Sequence, residues 1–232
     1  VFLFFNILYL HTPAGLHHGI ITTAAFLVPP LVLIVIGAII SPFLTKHLGL
    51  DSTLLIGWLF FLAGALTLVF SETNISYLNL WWRFCLVGVG LALVYPNVLP
   101  FTMLALPKNE AGEASGILLT IQLIGATVGI AIGQSWYLGS FSDFMRKIFS
   151  ALDISSYQQK ELISQAHSNT EELQKSLANF DHSQAKELLQ NLNQAAANSY
   201  HDINWLIVII SSVGLVSIAS YCLLQYYRKR LR

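Results

Sequence analysis

Residues 114–138 read ASGILLTIQLIGATVGIAIGQSWYL, and no side chain in the stretch carries a charge. At 1.5 Å rise per residue, about 20 apolar residues cross the hydrocarbon core of a bilayer, so this segment spells a membrane-spanning helix. Gly125, Gly129 and Gly133 recur at every fourth position, which leaves one helix face bare of side chains. A neighbouring backbone can pack closely on such a face. Gln122 lies on the same helix, about a third of the way along it. A buried amide without a partner costs a few kcal/mol, so Gln122 must bond another helix or line a wet cavity.

The rest of the chain follows the same pattern. Uncharged runs of spanning length cover 20–41, 53–70, 84–106 and 203–227, and residues 1–10 (VFLFFNILYL) supply a partial span. That opening stretch has no basic n-region and no small-residue cleavage site. It therefore reads as the outer half of a span whose beginning lies upstream, not as a signal peptide. Of the 232 residues, 55% are hydrophobic and 10% are charged, with 12 basic against 12 acidic side chains. Soluble domains carry about 25% charged residues, so the composition excludes a water-soluble globule. The zero charge balance gives no footing for nucleic acid. The fold class expected is an all-α polytopic membrane bundle, embedded in a lipid bilayer.

Basic residues beside a span end stay in the cytoplasm, and the tail YYRKRLR is the clearest such signal. With Arg228, Lys229, Arg230 and Arg232 inside, alternation puts the turns PFLTKHLGLDS and PKNEAGE inside as well. The loop around Glu72–Asn79 and the segment 142–202 then lie outside. Three regions result: a membrane bundle over 1–141, an extracytoplasmic helical loop over 142–202, and a last span with its cytoplasmic tail over 203–232. The outer loop places Leu162, Ala166, Leu173, Leu177 and Phe180 on one apolar stripe, and Leu188, Leu192 and Ala195 on a second. It contains no Gly or Pro, so a pair of helices fits it better than a floppy linker.

No catalytic constellation is present, and the chain reads as a non-enzyme. His11, His17, His18, His47, His167, His182 and His201 lie in loops or at span ends. The His17–His18 pair has no Cys or carboxylate nearby to complete a zinc site, and no metal or cofactor is implied. Cys85 and Cys222 sit in apolar stretches. No Asp or Glu falls inside a full span, so the exchangeable acid that a proton-coupled carrier needs lies elsewhere. Arg83 follows Trp81-Trp82 at the outer boundary, where aromatic anchoring and snorkelling explain it.

Proline marks two spans. Pro29-Pro30 and the pair Pro96 and Pro100 free carbonyls of the preceding turn, and a break in the helix is expected at each, with Asn97 inside the second break and Tyr95 just before it. Irregular backbone at membrane depth is tolerated where it is buried in protein or faces a cavity. Two proline-interrupted helices and a glycine-faced one form the pattern of a moving transporter bundle.

The run from Leu91 to Ile132 resembles the C-terminal half of a fourteen-span major facilitator transporter, of the drug:proton antiporter-2 group typified by EmrB/QacA exporters. The likeness rests on the glycine-rich span ending in YPN, the turn LPKNEAGEASG and the following QLIGATVGIAIG. The stretch HTPAGLHHGIITTAAFLVPPL and the long outer loop before a final span extend it to most of the chain. Many relatives place Asn and Arg where this sequence has Leu119 and Gln122. The inner turn retains an eroded copy of a family latch pattern, with Lys46 and His47 in its Asp and Arg places when Gly49 is aligned.

The resemblance implies proton-driven expulsion of amphipathic compounds by alternating access, with the coupling acid in an N-terminal half outside this chain. Cavity candidates on that view are Tyr95, Asn97, Gln122, Gln134, Trp58 and Phe60, each with plain packing as its alternative. The bilayer, a small amphipathic substrate, the N-terminal half and a periplasmic adaptor protein are the implied partners, and a bacterial inner membrane is the implied location. Rival readings are a non-transporting membrane remnant or subunit, a homodimeric small transporter, and an exporter of another cargo such as a siderophore or metabolite.

Overall fold

The computed structural model describes residues 2–11, 20–70, 77–104, 111–151 and 182–230. Six helices account for nearly all of them: α1 (Phe2–His11), α2 (Ile20–Leu48), α3 (Leu50–Val69), α4 (Tyr77–Met103), α5 (Ala111–Ala151) and α6 (His182–Arg230). Five of these, α2 to α6, are long and apolar enough to cross a membrane. The protein is an all-helical, multi-pass membrane protein. The His17–His18 pair and the stripe from Leu162 to Phe180 lie outside the described residues.

The expected proline breaks do not occur. Pro29, Pro30 and Pro42 all sit inside α2, and Pro96 and Pro100 inside α4, and both helices run on through them. Each proline deletes one backbone hydrogen bond. In an apolar setting no water competes for the remaining bonds, and these hold the helix on either side. For the same reason α2 continues past Pro42 to Leu48 instead of ending at Ser41. The α5 and α6 helices have 41 and 49 residues, so at 1.5 Å per residue each is about 60 Å or longer. That is roughly twice the 30 Å hydrocarbon core. Each of these helices thus joins an apolar span to part of the polar 142–202 segment, its start in α5 and its end in α6.

Contacts divide the chain into two compact units, Phe26–Val128 with Asn204–Arg232, and Val1–Ala25 with Gly129–Ile203. In the first, α3 and α4 pack along a line of glycines. A Cβ added at Gly90 would stand 2.5 Å from the backbone N of Phe61, one at Gly64 2.8 Å from the N of Val87, and one at Gly57 2.9 Å from the Cβ of Leu93. No side chain fits at these points, so the two backbones touch. As α3 advances from Gly57 to Gly64, its partners on α4 retreat from Leu93 to Val87, so the pair is antiparallel. On its other side α4 meets α2 in parallel, with Gly88 against Pro30 and Ala92 against Gly37. Farther along, α6 lies against α3 through Gly214 on Trp58 and through the edge-on pair Phe70 and Trp205. These registers require the chain to cross back and forth, the order that loop alternation implies.

A single residue joins α2 to α3. Gly49 takes φ +84°, a conformation that costs L side chains about 1 kcal/mol. Its N–H donates to the Thr45 carbonyl, and its own carbonyl accepts from both the N–H and the hydroxyl of Thr53. One left-handed glycine therefore ends one helix and starts the next. Lys46 and His47 fall in the last turn of α2 and Asp51 in the first turn of α3, the signs that helix dipoles favour.

The second unit packs α1 against the C-terminal part of α5 and the N-terminal part of α6. Gly133, Tyr137, Phe141, Met145 and Phe149 are all buried and recur every fourth residue along α5. Of these, Phe141, Met145 and Phe149 form one cluster with Leu188, Leu192, Ala195, Ala196 and Tyr200 of α6 and Tyr9 of α1. The rings of Tyr9 and Tyr200 stack 4.1 Å apart at 8°. The Tyr200 hydroxyl donates to the Asn6 side-chain carbonyl, and the Asn6 amide donates to the Phe2 carbonyl at 2.8 Å. A buried asparagine with both ends bonded has met its desolvation cost.

Candidate functional site

The polar side chains singled out by sequence divide between the two units. Tyr95, Asn97, Gln122, Trp58 and Phe60 belong to the unit containing α3 and α4, and Gln134 to the unit containing α1. Asn97 is 4% exposed, and its amide donates to the Ser41 hydroxyl on α2 and to the Leu93 carbonyl at 2.6 Å. Its donors therefore tie α4 to α2. Tyr95, two residues earlier and turned away from that contact, is 69% exposed. Trp58 packs on Gly214 and edge-on to Phe61 at 5.8 Å, while Phe60 is exposed.

Gln122 occupies an unusual stretch. Every described side chain from Leu119 to Val128 is exposed, and a Cβ added at Gly125 would meet nothing within 4 Å. Gly133 does serve close packing, because a Cβ there would strike the Phe5 ring at 2.5 Å. Gly129, one turn earlier, is half-buried. Beside it, Gln134 is half-buried with its carbonyl oxygen buried and without a hydrogen-bond partner among the described residues. The glycine face of α5 is thus occupied at Gly133 and open at Gly125.

Lys46 and His47 are exposed at the C-terminal end of α2, with the His47 ring edge-on to Phe43 at 4.6 Å. At the opposite end of the bundle, an Nη1 of Arg83 donates to the Thr67 carbonyl at 2.7 Å. Thr67 lies in the last turn of α3, whose final carbonyls have no partner within the helix. The guanidinium, lying 5.5 Å over the Trp82 ring, both serves an orphan carbonyl and opposes the negative end of the helix dipole. Its role is capping.

Sequence reading missed Ser41, Gly37, Gly57 and Gly64. The two α3 glycines stand seven residues apart, which is two helical turns, so their shared face was available in principle. Ser41 was marked only by the proline that follows it. Chemically, the unit holding Tyr95 and Gln122 offers a phenol, a carboxamide and a large apolar surface. That set can hold an organic molecule through a few polar contacts, and it includes no nucleophile paired with a base.

Comparison with known proteins bears on this arrangement. Over 98 residues, 41% of this chain, the sequence is 37% identical to the Multidrug resistance protein Stp of Mycobacterium tuberculosis, covering 18% of that protein. Over 203 residues, 82% of this chain, it is 28% identical to a Probable actinorhodin transporter of Streptomyces coelicolor, covering 35% of it. The chain thus spans about a third or less of the curated relatives it matches. The family model of the Major Facilitator Superfamily matches residues 1–130. With more than half its length matched and its helices packed as a membrane bundle, the chain belongs to the Major Facilitator Superfamily.

Proposed function

We propose that the protein containing this chain is a secondary-active exporter of amphipathic, often aromatic or cationic compounds, driven by protons and working by alternating access. The chain forms its C-terminal bundle in a fourteen-span layout of the drug:proton antiporter-2 type. The likeness to a protein named for multidrug resistance supports this reading. One observation of the structure carries it: α5 displays Gln122 on a stretch exposed on all sides and otherwise almost wholly apolar. An amide facing lipid is costly, so in the bilayer Gln122 faces protein or a wet cavity. Tyr95, the other exposed polar candidate, joins it as a substrate contact in this proposal, while Asn97 positions α4. The C-terminal tail is cytoplasmic, residues 142–202 lie on the far side of a bacterial inner membrane, and a periplasmic adaptor is the partner that this outer segment suits.

Gln122→Leu in the full-length protein tests the proposal. Normal membrane abundance with export reduced about tenfold is the expected result, the scale of one lost buried hydrogen bond. Unchanged export would remove Gln122 from the pathway. The likeness to a protein named for one compound, actinorhodin, favours a second cargo reading, a dedicated exporter of a single metabolite. Competition for export by a panel of structurally unrelated amphiphiles separates the two, since a dedicated exporter is inhibited by close analogues alone.

A further inference from the structure

We infer that α2 and α4 share a hinge, and that the Ser41–Asn97 hydrogen bond is its pivot. Ser41 precedes Pro42 on α2, and Asn97 follows Pro96 on α4, so the bond joins two turns that each lack a backbone hydrogen bond. Pro42 has no N–H for the Ala38 carbonyl, and Pro96 has none for Ala92. Those acceptors belong to a close approach of the two helices, where a Cβ added at Gly37 would collide with the Cβ, the Cα and the carbonyl oxygen of Ala92. A glycine contact, a buried polar bond and two prolines thus occupy the same level of two parallel helices.

The secondary bonds at this level fit the assignment. The Thr45 hydroxyl donates to the carbonyls of Ser41 at 3.1 Å and Pro42 at 2.9 Å, and the Asn97 amide also reaches the Leu93 carbonyl. Side chains thus serve backbone acceptors in the turn around each proline. Such sites absorb bending at less cost than an intact helix does. The pivot bond couples the bending of the two helices, because separating them in an apolar interior costs a buried hydrogen bond, with only the Leu93 contact left to the Asn97 amide. Ser41 is 0% and Asn97 4% exposed, so no water replaces the lost partner. The inference goes beyond export and depends on neither cargo nor coupling ion.

Hydrogen exchange on the full-length protein in lipid nanodiscs tests it, read over residues 37–48 and 92–103. Asn97→Leu should speed exchange of both segments about tenfold, and Ser41→Ala should do so by a smaller factor, as befits one buried hydrogen bond. Replacing Pro42 and Pro96 by alanine in the Asn97→Leu background should return both segments to the slow rate, because the missing backbone bonds are restored. Exchange unchanged in Asn97→Leu overturns the pivot. Fast exchange that survives the proline replacements overturns the hinge, since plain loss of packing would persist. Should Asn97→Leu fail to accumulate, Ser41→Ala with and without the proline replacements decides by the same two criteria.

Discussion

Gly90→Val is expected to abolish accumulation of the full-length protein as a folded membrane species. The valine Cβ would lie 2.5 Å from the Phe61 nitrogen and 2.7 Å from both its Cα and its Cβ. Overpacking against side chains costs about 1–3 kcal/mol, and the obstacle here is mostly backbone, which cannot rotate aside. A cost of about 3 kcal/mol or more is a large fraction of a typical total stability of 5–15 kcal/mol. Ala63→Val supplies the comparison, since Ala63 is exposed on the same helix as Phe61 and the change should stay within about 0.5 kcal/mol. Size-exclusion chromatography of the solubilised protein reads the outcome. A monodisperse Gly90→Val peak melting at the parent temperature would refute the backbone contact between α3 and α4.

The second large effect falls in the unit built from α1, the C-terminal part of α5 and the N-terminal part of α6. Tyr200→Ala removes a 4%-exposed ring stacked on Tyr9 and the hydroxyl that serves Asn6, with an expected loss of about 3–5 kcal/mol. Tyr200→Phe keeps the stacked ring and leaves the buried Asn6 oxygen without its donor, a loss of about 1–3 kcal/mol. Thermal unfolding followed at α1 should rank the parent above Tyr200→Phe and that above Tyr200→Ala. Equal destabilisation by the two variants would mean that the hydroxyl alone matters, and none by either would mean that α1 is not held by this contact.

Much of this fold was legible before any coordinates, and the reason is physical. A bilayer forces uncharged runs of spanning length and full backbone satisfaction, so SPAN-scale hydropathy located α2 to α6 without help from packing. The stripe Leu188, Leu192 and Ala195 is buried, as helical spacing indicates for an apolar face. Proline was expected to interrupt α2 and α4, and both helices run on through it. Its effect on a helix depends on whether water or protein surrounds the freed carbonyl, and that is a tertiary fact. The glycines of α3 were overlooked for a related reason: Gly57 and Gly64 are scattered among Leu, Phe and Ala, and only the approach of α4 gives them meaning.

The candidate site was legible in type more than in detail. Gln122, Tyr95 and Asn97 stood out because polar groups are scarce at membrane depth, yet sequence could not say which of them was already bonded. Ser41 decided that for Asn97, and 56 positions separate the two along the chain. Arg83 likewise appeared as a boundary anchor, whereas its tie to Thr67 required α3 and α4 to be antiparallel. The Lys46, His47 and Gly49 turn, where the sequence suggested an eroded latch, contains the left-handed joint between two helices.

The central claim is that this bundle serves proton-driven export, and flux in proteoliposomes tests it most directly. The full-length protein would be reconstituted with a fluorescent aromatic cation, and a pH gradient imposed across the membrane. The account predicts dye movement against its own gradient that stops when an ionophore collapses the pH difference. Dye movement at the same rate with and without the pH difference, or none beyond that of protein-free vesicles, would contradict it.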